Sequence, residues 1–387
     1  MAIRVNPGLI DEMVHFGAED VQMCYHCGDC SAVCVHTDEV FRFPRKSMRL
    51  LQMGLETKLE SNIEPWLCYY CGQCSEQCPR EAEPGETMMS ICRWLISRYD
   101  FTGIARLFFK SLKAEIIAVI LIGLIAGAAF LIHGLRFGDI SIYDGEGAFL
   151  PSSLVHQVDI LIALIVVVFL LSNVIRMFYF ILIKGMKEPA PWWSYLKYIY
   201  LLPWHFISQK RYSECESDKG PKLHFPWLLH LGLMLGYVTM LLLVMISLDL
   251  LQSGPAIDWR VHILGYLASI GLLAGTIFFL TRRFQKKQTQ YKKTEGSDWV
   301  FIILLFLIVI TGVIKHILHR SGLYMAANIV YLTNLMVVIP WLLRMPFTKW
   351  SHIIYRPLAM YFAGMKREAF YHSDVTQPEY PKAVLVS

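Results

Sequence analysis

The sequence predicts a mostly α-helical protein in which a small cysteine-rich helical domain precedes a six-helix transmembrane bundle. Apolar residues make up 55% of the 387 residues and charged residues only 17%, which is too apolar for an ordinary soluble protein. The apolar excess is uneven, because residues 1–110 are polar whereas residues 114–345 consist mostly of long apolar runs. Eight of the ten cysteines fall in two short groups near the N-terminus.

The N-terminal domain is predicted to span residues 1–100. It should begin with a short helix within 1–20, continue after the first cysteine group with a basic helix over 44–59, and close with a helix over 86–99. Residues 101–113 combine lysine and arginine with phenylalanine. That composition is typical of a linker at the membrane surface.

Six runs are long enough, or nearly so, to cross ~30 Å of hydrocarbon, which needs roughly 20 residues. The runs are about 114–132, 154–183, 225–250, 260–281, 299–319 and 325–343. Asn328, Thr333, Asn334 and Pro340 interrupt the sixth run and make it the least apolar. In a large soluble protein such runs would be buried helices, but six of them in succession favour membrane spans.

Lysine and arginine are concentrated in alternate connections between the runs, and such connections stay on the cytoplasmic side. The rich connections, 184–224 and 282–298, contain Lys184, Lys187, Lys197, Lys210, Arg211, Lys219, Lys222, Arg282, Arg283, Lys286, Lys287, Lys292 and Lys293. The other connections contain Arg136, Arg260 and Arg320. Both termini are therefore expected in the cytoplasm. We also expect no signal peptide, because residues 1–20 lack a basic segment followed by an apolar one.

The membrane domain is expected to span 114–352, with an interfacial segment at 184–224 and a cytoplasmic tail at 353–387. Within the interfacial segment, residues 189–212 are rich in tryptophan and tyrosine beside lysine and arginine. This composition favours a helix that lies in the membrane interface. Docking of a partner protein is the alternative.

The two cysteine groups share the spacing C-x2-C-x2-C-x3-C, the pattern of bacterial ferredoxins with two [4Fe–4S] clusters. Three thiolates of a group can wrap one cubane, and the fourth reaches the other cluster. The assigned ligands are Cys24, Cys27, Cys30 and Cys78 for the first cluster, and Cys68, Cys71, Cys74 and Cys34 for the second. Gly28 and Gly72 follow the second cysteine of each group, where a tight turn is needed. The domain is thus predicted to be helical and ferredoxin-like.

Structural zinc is the alternative for these cysteines, but zinc usually takes two separated C-x2-C pairs. The first group departs from the ferredoxin pattern, because Val35 stands where Pro79 follows the second group. Free thiolates also require a reducing compartment, which agrees with a cytoplasmic domain. Outside the two groups, we interpret Cys92 as a packing residue of a buried helix and Cys215 as an ordinary loop thiol. No stripe of lysine and arginine indicates nucleic-acid binding.

Histidines within membrane spans are rare and usually functional, and two from facing helices can hold one haem b iron. Two ligands of one iron must lie at the same depth. His230 lies about six residues into the third run from the cytoplasmic side, and His352 lies just after the sixth run on that side. The histidines at the outer ends of the runs are His133, His156, His262, His316 and His319.

The stretch LLHLG at 228–232 and the ending MPFTKWSH at 345–352 resemble the gamma subunit of respiratory nitrate reductase. The resemblance implies that His230 and His352 ligate a haem b on the cytoplasmic side.

A second haem cannot be held as in that family, because the corresponding positions are Met240 and Asn334 here. If a second haem exists, its candidate ligands are His262 and His316, since their depths match. Their substitutes are His319 and His156. The alternative is that these histidines reach toward the outer interface.

Over nearly its whole length the chain resembles a fusion of the C and E subunits of heterodisulfide reductase, as in the membrane subunits of quinone-interacting membrane-bound oxidoreductases. The resemblance rests on two cluster motifs followed by six runs. It implies electron transfer between menaquinone, haem b, two [4Fe–4S] clusters, and flavin and iron–sulfur partner subunits. Adenylylsulfate reductase is the redox partner that it implies, within sulfate respiration. The chain shows no G-x-G-x-x-G flavin fingerprint, so we expect bond-making chemistry on the partners.

Two alternatives stay open from the sequence. One is the membrane subunit of another redox complex, linked to sulfite reduction or to a hydrogenase. The other is a haem-free membrane anchor for the cysteine domain. Lys315 is a candidate for the quinone site if an outer haem exists, because a cation in the membrane is costly; otherwise it reaches the outer interface. Arg344, Lys349 and Arg356 are candidates for pairing with haem propionates.

Overall fold

The computed structural model describes residues 4–137, 150, 152–186, 188–217, 225–252 and 259–376. Within these ranges the chain is helical, with short 3-10 and π turns, and forms no strand. The predicted fold class is therefore confirmed. Lys187, Lys219 and Lys222, on which part of the orientation argument depends, lie outside the described residues, as does the end of the predicted tail at 377–387.

The helices of the described ranges are α1 (Leu9–Val14), α2 (Asp29–Ala32), α3 (Arg45–Gln52), α4 (Glu56–Glu60), α5 (Glu64–Leu67), α6 (Gln73–Glu76), α7 (Pro84–Tyr99), α8 (Ile104–Lys110), α9 (Leu112–Phe137), α10 (Ser152–Phe178), α11 (Trp192–Lys197), α12 (Leu201–Ser208), α13 (Lys210–Ser217), α14 (Phe225–Gln252), α15 (Trp259–Gln285), α16 (Thr289–Lys292), α17 (Gly296–Arg320), α18 (Tyr324–Leu343) and α19 (His352–Thr376). The basic helix expected over 44–59 is two helices, α3 and α4. The expected linker at 101–113 contains the helix α8.

The chain divides into two compact units. Unit one consists of Met1–Leu95, Val174–Cys215 and His352–Ser387. Unit two consists of Ile96–Asn173 and Glu216–Ser351. Unit one thus combines the cysteine-rich domain with two segments that the sequence assigned to the interface and to a tail.

Aromatic packing explains why α19 belongs to unit one. Trp66 of α5 is 1% exposed and packs edge-on against Tyr355 of α19, with ring centroids 5.0 Å apart. Phe178, at the end of α10, packs against Phe362 of α19 at 5.9 Å. One apolar face of α19 is therefore buried in the core of unit one, as expected for an amphipathic helix.

The helices α11 to α13 have a buried side and an exposed side. His205 and Cys215 are buried within unit one. The exposed apolar side chains of this segment include Trp192, Leu196, Ile199, Tyr200, Trp204 and Ile207. The segment therefore packs on unit one and still presents an aromatic surface of the kind that suits a membrane interface.

Within the described part of the chain, six helices are long and apolar enough to cross a membrane, and unit two contains most of them. They span Leu112–Arg136, Ser153–Ile183, Phe225–Met245, Val261–Gln285, Gly296–Arg320 and Tyr324–Leu343. Each corresponds to one of the predicted runs, and the sixth has the lowest mean hydropathy, 1.7. Large apolar side chains point outward on these helices; Ile125, for example, is 68% exposed. Such a surface suits contact with lipid.

Small residues allow close packing of the membrane helices in unit two. A side chain at Gly271 of α15 would lie 2.7 Å from the carbonyl oxygen of Gly232 of α14. One at Gly236 would lie 2.7 Å from the carbonyl oxygen of Ala268. Small residues at such contacts let helix backbones approach closely in membranes.

Two salt bridges lie at the ends of membrane helices in unit two. Glu115 of α9 forms a salt bridge with Arg344, which follows α18, and both side chains are at most 3% exposed. The Ser297 hydroxyl donates to Glu115 at 3.0 Å. Lys349 pairs with Asp298 of α17 at 2.8 Å. Because a buried charge without a partner is costly, these pairs fix the ends of α9, α17 and α18 relative to one another.

Candidate metal centres

The two cysteine loops have the same backbone conformation. The residue two positions after the first cysteine has a positive φ in each loop, 59° at His26 and 55° at Tyr70. Gly28 and Gly72 follow with φ of 104° and 86°, a conformation that glycine adopts without steric cost. A short helix then begins and carries the third cysteine, α2 in the first loop and α6 in the second. The repeat in spacing is thus also a repeat in backbone structure.

Backbone amides point at the cysteine sulfurs. The amide of His26 donates to Cys24 Sγ at 3.5 Å. The amides of His36 and Thr37 donate to the sulfur of Cys34 and act to lower its pKa, although burial raises the pKa overall. Donors of this kind stabilise the thiolate, which is the form that ligates iron.

Cys78 lies beside the first loop. Burial is the largest effect that raises the pKa of Cys24, and Cys78 and Cys27 are the negative neighbours that raise it further. Burial also raises the pKa of Cys30 to about 11, with Cys24, Cys27 and Cys78 among its charged neighbours. The positive charge of Arg45 lowers the pKa of Cys24. The structure therefore brings the last cysteine of the second motif to the first loop.

Cys34 lies in the cavity of the second loop. That cavity is bordered by Cys34, Cys68, Cys71 and Cys74, and its walls include Phe43. Burial, followed by repulsion from Cys68, Cys71 and Cys34, raises the pKa of Cys74 well above its ordinary value. Four sulfurs around a mostly apolar cavity fit a [4Fe–4S] cluster, which needs thiolate ligands and a shell that limits water.

A tyrosine, a histidine and an arginine surround the second loop. The Tyr69 hydroxyl lies 2.9 Å from Nε2 of His205, and the Arg356 guanidinium lies over the Tyr69 ring at 4.5 Å from its centroid. Burial, then repulsion by Arg356 and Arg211, lowers the pKa of His205 to about 4. The imidazole is therefore neutral at pH 7, and Arg356 offsets part of the negative charge of the Cys68 thiolate.

A buried ion pair holds the second loop against α7. The Tyr70 hydroxyl donates to Glu86, and Glu86 Oε1 accepts a hydrogen bond from Arg93 at 2.8 Å. Arg93 also donates to the carbonyl oxygen of Phe16 at 2.8 Å. Both charged side chains are at most 3% exposed. This network connects the second loop, α7 and the segment after α1.

Glu86→Ala is expected to destabilise unit one by about 3–5 kcal/mol, because it breaks the buried salt bridge between Glu86 and Arg93. It also removes the acceptor of the Tyr70 hydroxyl. Chemical denaturation of the purified protein, followed by the loss of cluster absorbance, measures the effect. Lys197→Ala is the matched control, since Lys197 pairs with Glu368 at the surface at 2.8 Å and such pairs contribute little. Equal effects of the two substitutions would contradict the assignment.

The two cysteines outside the motifs lie in different environments. Cys92 is buried in α7, as expected for a packing residue. The interpretation of Cys215 as a loop thiol is wrong, because it lies on α13, is 3% exposed and borders the cavity of the second loop. Sequence reasoning missed it because its partners are distant along the chain; His36 and Cys215 are 179 positions apart.

Two of the membrane histidines come together within unit two. The rings of His262 and His316 have centroids 6.1 Å apart, and His316 Nε2 lies 2.9 Å from the Tyr266 hydroxyl. His230 belongs to unit two, where its ring packs against Phe279, and His352 begins α19 in unit one. Asn334 has a structural role, since its amide donates to the carbonyl oxygen of Ile308 and to Thr311.

The cations considered for haem propionates have protein partners. Arg344 pairs with Glu115, Lys349 with Asp298, and Arg356 lies against Tyr69. Folding brings two carboxylates and a tyrosine ring next to these cations, and the sequence does not indicate these contacts. Lys315 lies over the Tyr331 ring at 5.4 Å from its centroid, within unit two.

Residues 20–82 match the family described as the 4Fe-4S dicluster domain, and this range includes all eight motif cysteines. No curated protein and no solved structure matches the chain. Among the described residues, no three His, Cys, Asp or Glu side chains are placed as the site of a single metal ion. The chain thus combines an N-terminal 4Fe-4S dicluster domain with six membrane-capable helices, an arrangement suited to electron transfer at a membrane.

Proposed function

We propose that the protein is the membrane electron-transfer subunit of a quinone-linked oxidoreductase complex. The observation that carries this proposal is the pair of four-cysteine sets in one chain with six membrane-capable helices. Two [4Fe–4S] clusters would be held by Cys24, Cys27, Cys30 and Cys78, and by Cys68, Cys71, Cys74 and Cys34. Such clusters carry single electrons, and the membrane helices would place the chain in the bilayer that contains menaquinone.

The partners in this proposal are soluble flavin and iron–sulfur subunits, with adenylylsulfate reductase as the final redox partner. This part rests on the sequence resemblance to heterodisulfide reductase and to quinone-interacting oxidoreductases. The chain itself supplies thiolates and histidines, which supports a role in passing electrons. In this proposal both termini and the cluster domain lie in the cytoplasm, and the basic residues Arg282 and Arg283 at the end of α15 support that orientation.

A haem b is the proposed link between quinone and clusters. His230 and His352 are its proposed ligands on the basis of the nitrate-reductase-like sequence. A second haem would use His262 and His316, and the 6.1 Å separation of their ring centroids supports that pair. Bound haem would supply one-electron chemistry, while the histidines hold its iron.

A visible spectrum of the purified protein, together with iron and haem analysis, tests the proposal. We expect sharp haem b bands and about eight non-haem iron atoms per chain, four for each cluster. A spectrum without haem bands, with the full iron content, would instead identify the chain as a haem-free anchor for the cluster domain. An iron content near zero would reject electron transfer by this chain altogether.

Lys315 is proposed as part of the quinone site on condition that the outer haem exists. Lys315→Leu should then slow quinol-dependent haem reduction by roughly tenfold or more, since a hydrogen bond to a charged group is worth about 1.5–3 kcal/mol. Stopped-flow reduction with a menaquinol analogue measures the rate. Arg320→Gln, at the exposed end of the same helix, is the control. Unchanged kinetics with a normal haem spectrum would remove Lys315 from the site and favour a pocket in the inner half of the bundle.

A further inference from the structure

Cys215 is a fifth cysteine at the site of the second cluster. It lies on α13, in a segment that packs within unit one. It borders the same cavity as Cys34, Cys68, Cys71 and Cys74. Its side chain is 3% exposed, so it interacts almost entirely with neighbouring groups inside unit one.

The thiol of Cys215 has two polar neighbours. It forms a side-chain hydrogen bond with Cys71, and its sulfur lies 3.1 Å from Nε2 of His36. The same Nε2 lies 3.0 Å from the carbonyl oxygen of Arg211. When Nε2 carries the proton and donates it to that carbonyl, it cannot accept from Cys215. The S–H of Cys215 is then directed to Cys71.

The four corners of the second cluster already have ligands. Each cubane takes four cysteines, and the two loops repeat one arrangement, with Cys78 beside the first loop and Cys34 beside the second. Backbone amides of His36 and Thr37 point at the sulfur of Cys34, which favours its thiolate form. Cys215 is therefore left as a neighbour of the ligand Cys71 rather than a ligand.

We propose that Cys215 donates a hydrogen bond from its thiol to the iron-bound sulfur of Cys71 and thereby raises the reduction potential of the second cluster. The proposal rests on the two clusters of the proposed function. Hydrogen bonds to cluster sulfurs are among the factors that set the potential. A donor at Cys71 stabilises the reduced cluster more than the oxidised one, because the reduced cluster carries more negative charge. Cys215 acts on the cluster through the sulfur of Cys71 and makes no bond to iron.

Redox titration followed by low-temperature EPR tests the proposal on the intact, anaerobically purified protein. Cys215→Ala should keep about eight iron atoms and shift the second cluster to a more negative potential. At a fixed ambient potential the ratio of reduced to oxidised cluster should fall by up to about tenfold, which is 59 mV for one electron. Cys215→Ser keeps a donor and should stay close to the unsubstituted protein. Cys92→Ala, a buried cysteine of α7, is the control and should not change the potential.

Electron–nuclear double resonance gives a second readout that does not depend on the potential. An exchangeable proton coupled to the reduced second cluster, lost in deuterated water, should be present in the unsubstituted protein and in Cys215→Ser and missing from Cys215→Ala, which keeps only the amide protons near Cys34. Its absence from the unsubstituted protein overturns the proposal.

Other outcomes also decide the question. Full iron content with an unchanged potential in Cys215→Ala overturns the hydrogen bond, whereas loss of about four iron atoms overturns it in favour of direct ligation by Cys215. Fewer than about eight iron atoms in the unsubstituted protein would reject both the two-cluster function and this inference. The iron content of the unsubstituted protein therefore tests the proposed function, and the potential and iron content of Cys215→Ala test the role of Cys215.

Discussion

Cys78→Ser is expected to remove the cluster bound by the first loop, although Cys78 belongs to the second motif. The physical reason is that Cys78 lies among the charged neighbours of Cys24 and Cys30, so the first cubane would lose one of its four ligands. Non-haem iron should fall from about eight to about four atoms per chain. Iron analysis and low-temperature EPR measure the loss.

The identity of the lost cluster can be read by comparison with two further variants. Cys27→Ser removes a ligand of the first loop and Cys71→Ser a ligand of the second. The EPR signal lost in Cys78→Ser should be the one lost in Cys27→Ser. If it is instead the signal lost in Cys71→Ser, the exchange of fourth ligands between the motifs is wrong. Cys92→Ser should keep both signals, since Cys92 lies outside the two sets.

His230→Ala and His352→Ala are each expected to abolish the same haem b. One iron needs both axial ligands, so either substitution should remove the corresponding absorbance bands completely. Redox-difference spectra and haem extraction, expressed per chain, measure the effect. The cluster iron should stay at about eight atoms, because neither histidine belongs to the cysteine sets.

The outer histidines provide the matched controls for that experiment. His262→Ala and His316→Ala should leave the haem of His230 and His352 intact, and should change the spectrum only if a second haem is bound. The pairing fails if His230→Ala and His352→Ala remove different haems. It also fails if neither substitution changes the spectrum of a protein that contains haem.

Several features were predictable because they are local properties of the chain. Each membrane span is a continuous apolar run whose length matches the hydrocarbon thickness, and all six runs are helices. The cysteine loops follow from spacing and from glycines such as Gly28 and Gly72, whose positive φ values are set within a few residues. Even the sixth span, interrupted by Pro340, lies within a continuous helix, Tyr324–Leu343.

Other features were predicted only in part, because composition does not distinguish a packed face from a lipid-facing one. The aromatic segment 189–212 suggested an interfacial helix, yet His205 lies against Tyr69 of the second loop. The segment after His352 suggested a tail, yet Tyr355 lies in the core of unit one. In both places one side of the segment is buried, and only its exposed side follows the composition.

The sequence by itself determined the helical class, the number of membrane-capable helices and the two cysteine loops, because hydropathy and spacing act over short distances along the chain. Only the tertiary structure decided which side chains surround the clusters and which charges are neutralised. Cys215 and His36 are 179 positions apart, and Arg344 and Glu115 are 229 positions apart. Neither contact can be recognised in a short stretch of sequence. Folding buries the two polar groups of each pair together, and a buried polar group needs a partner.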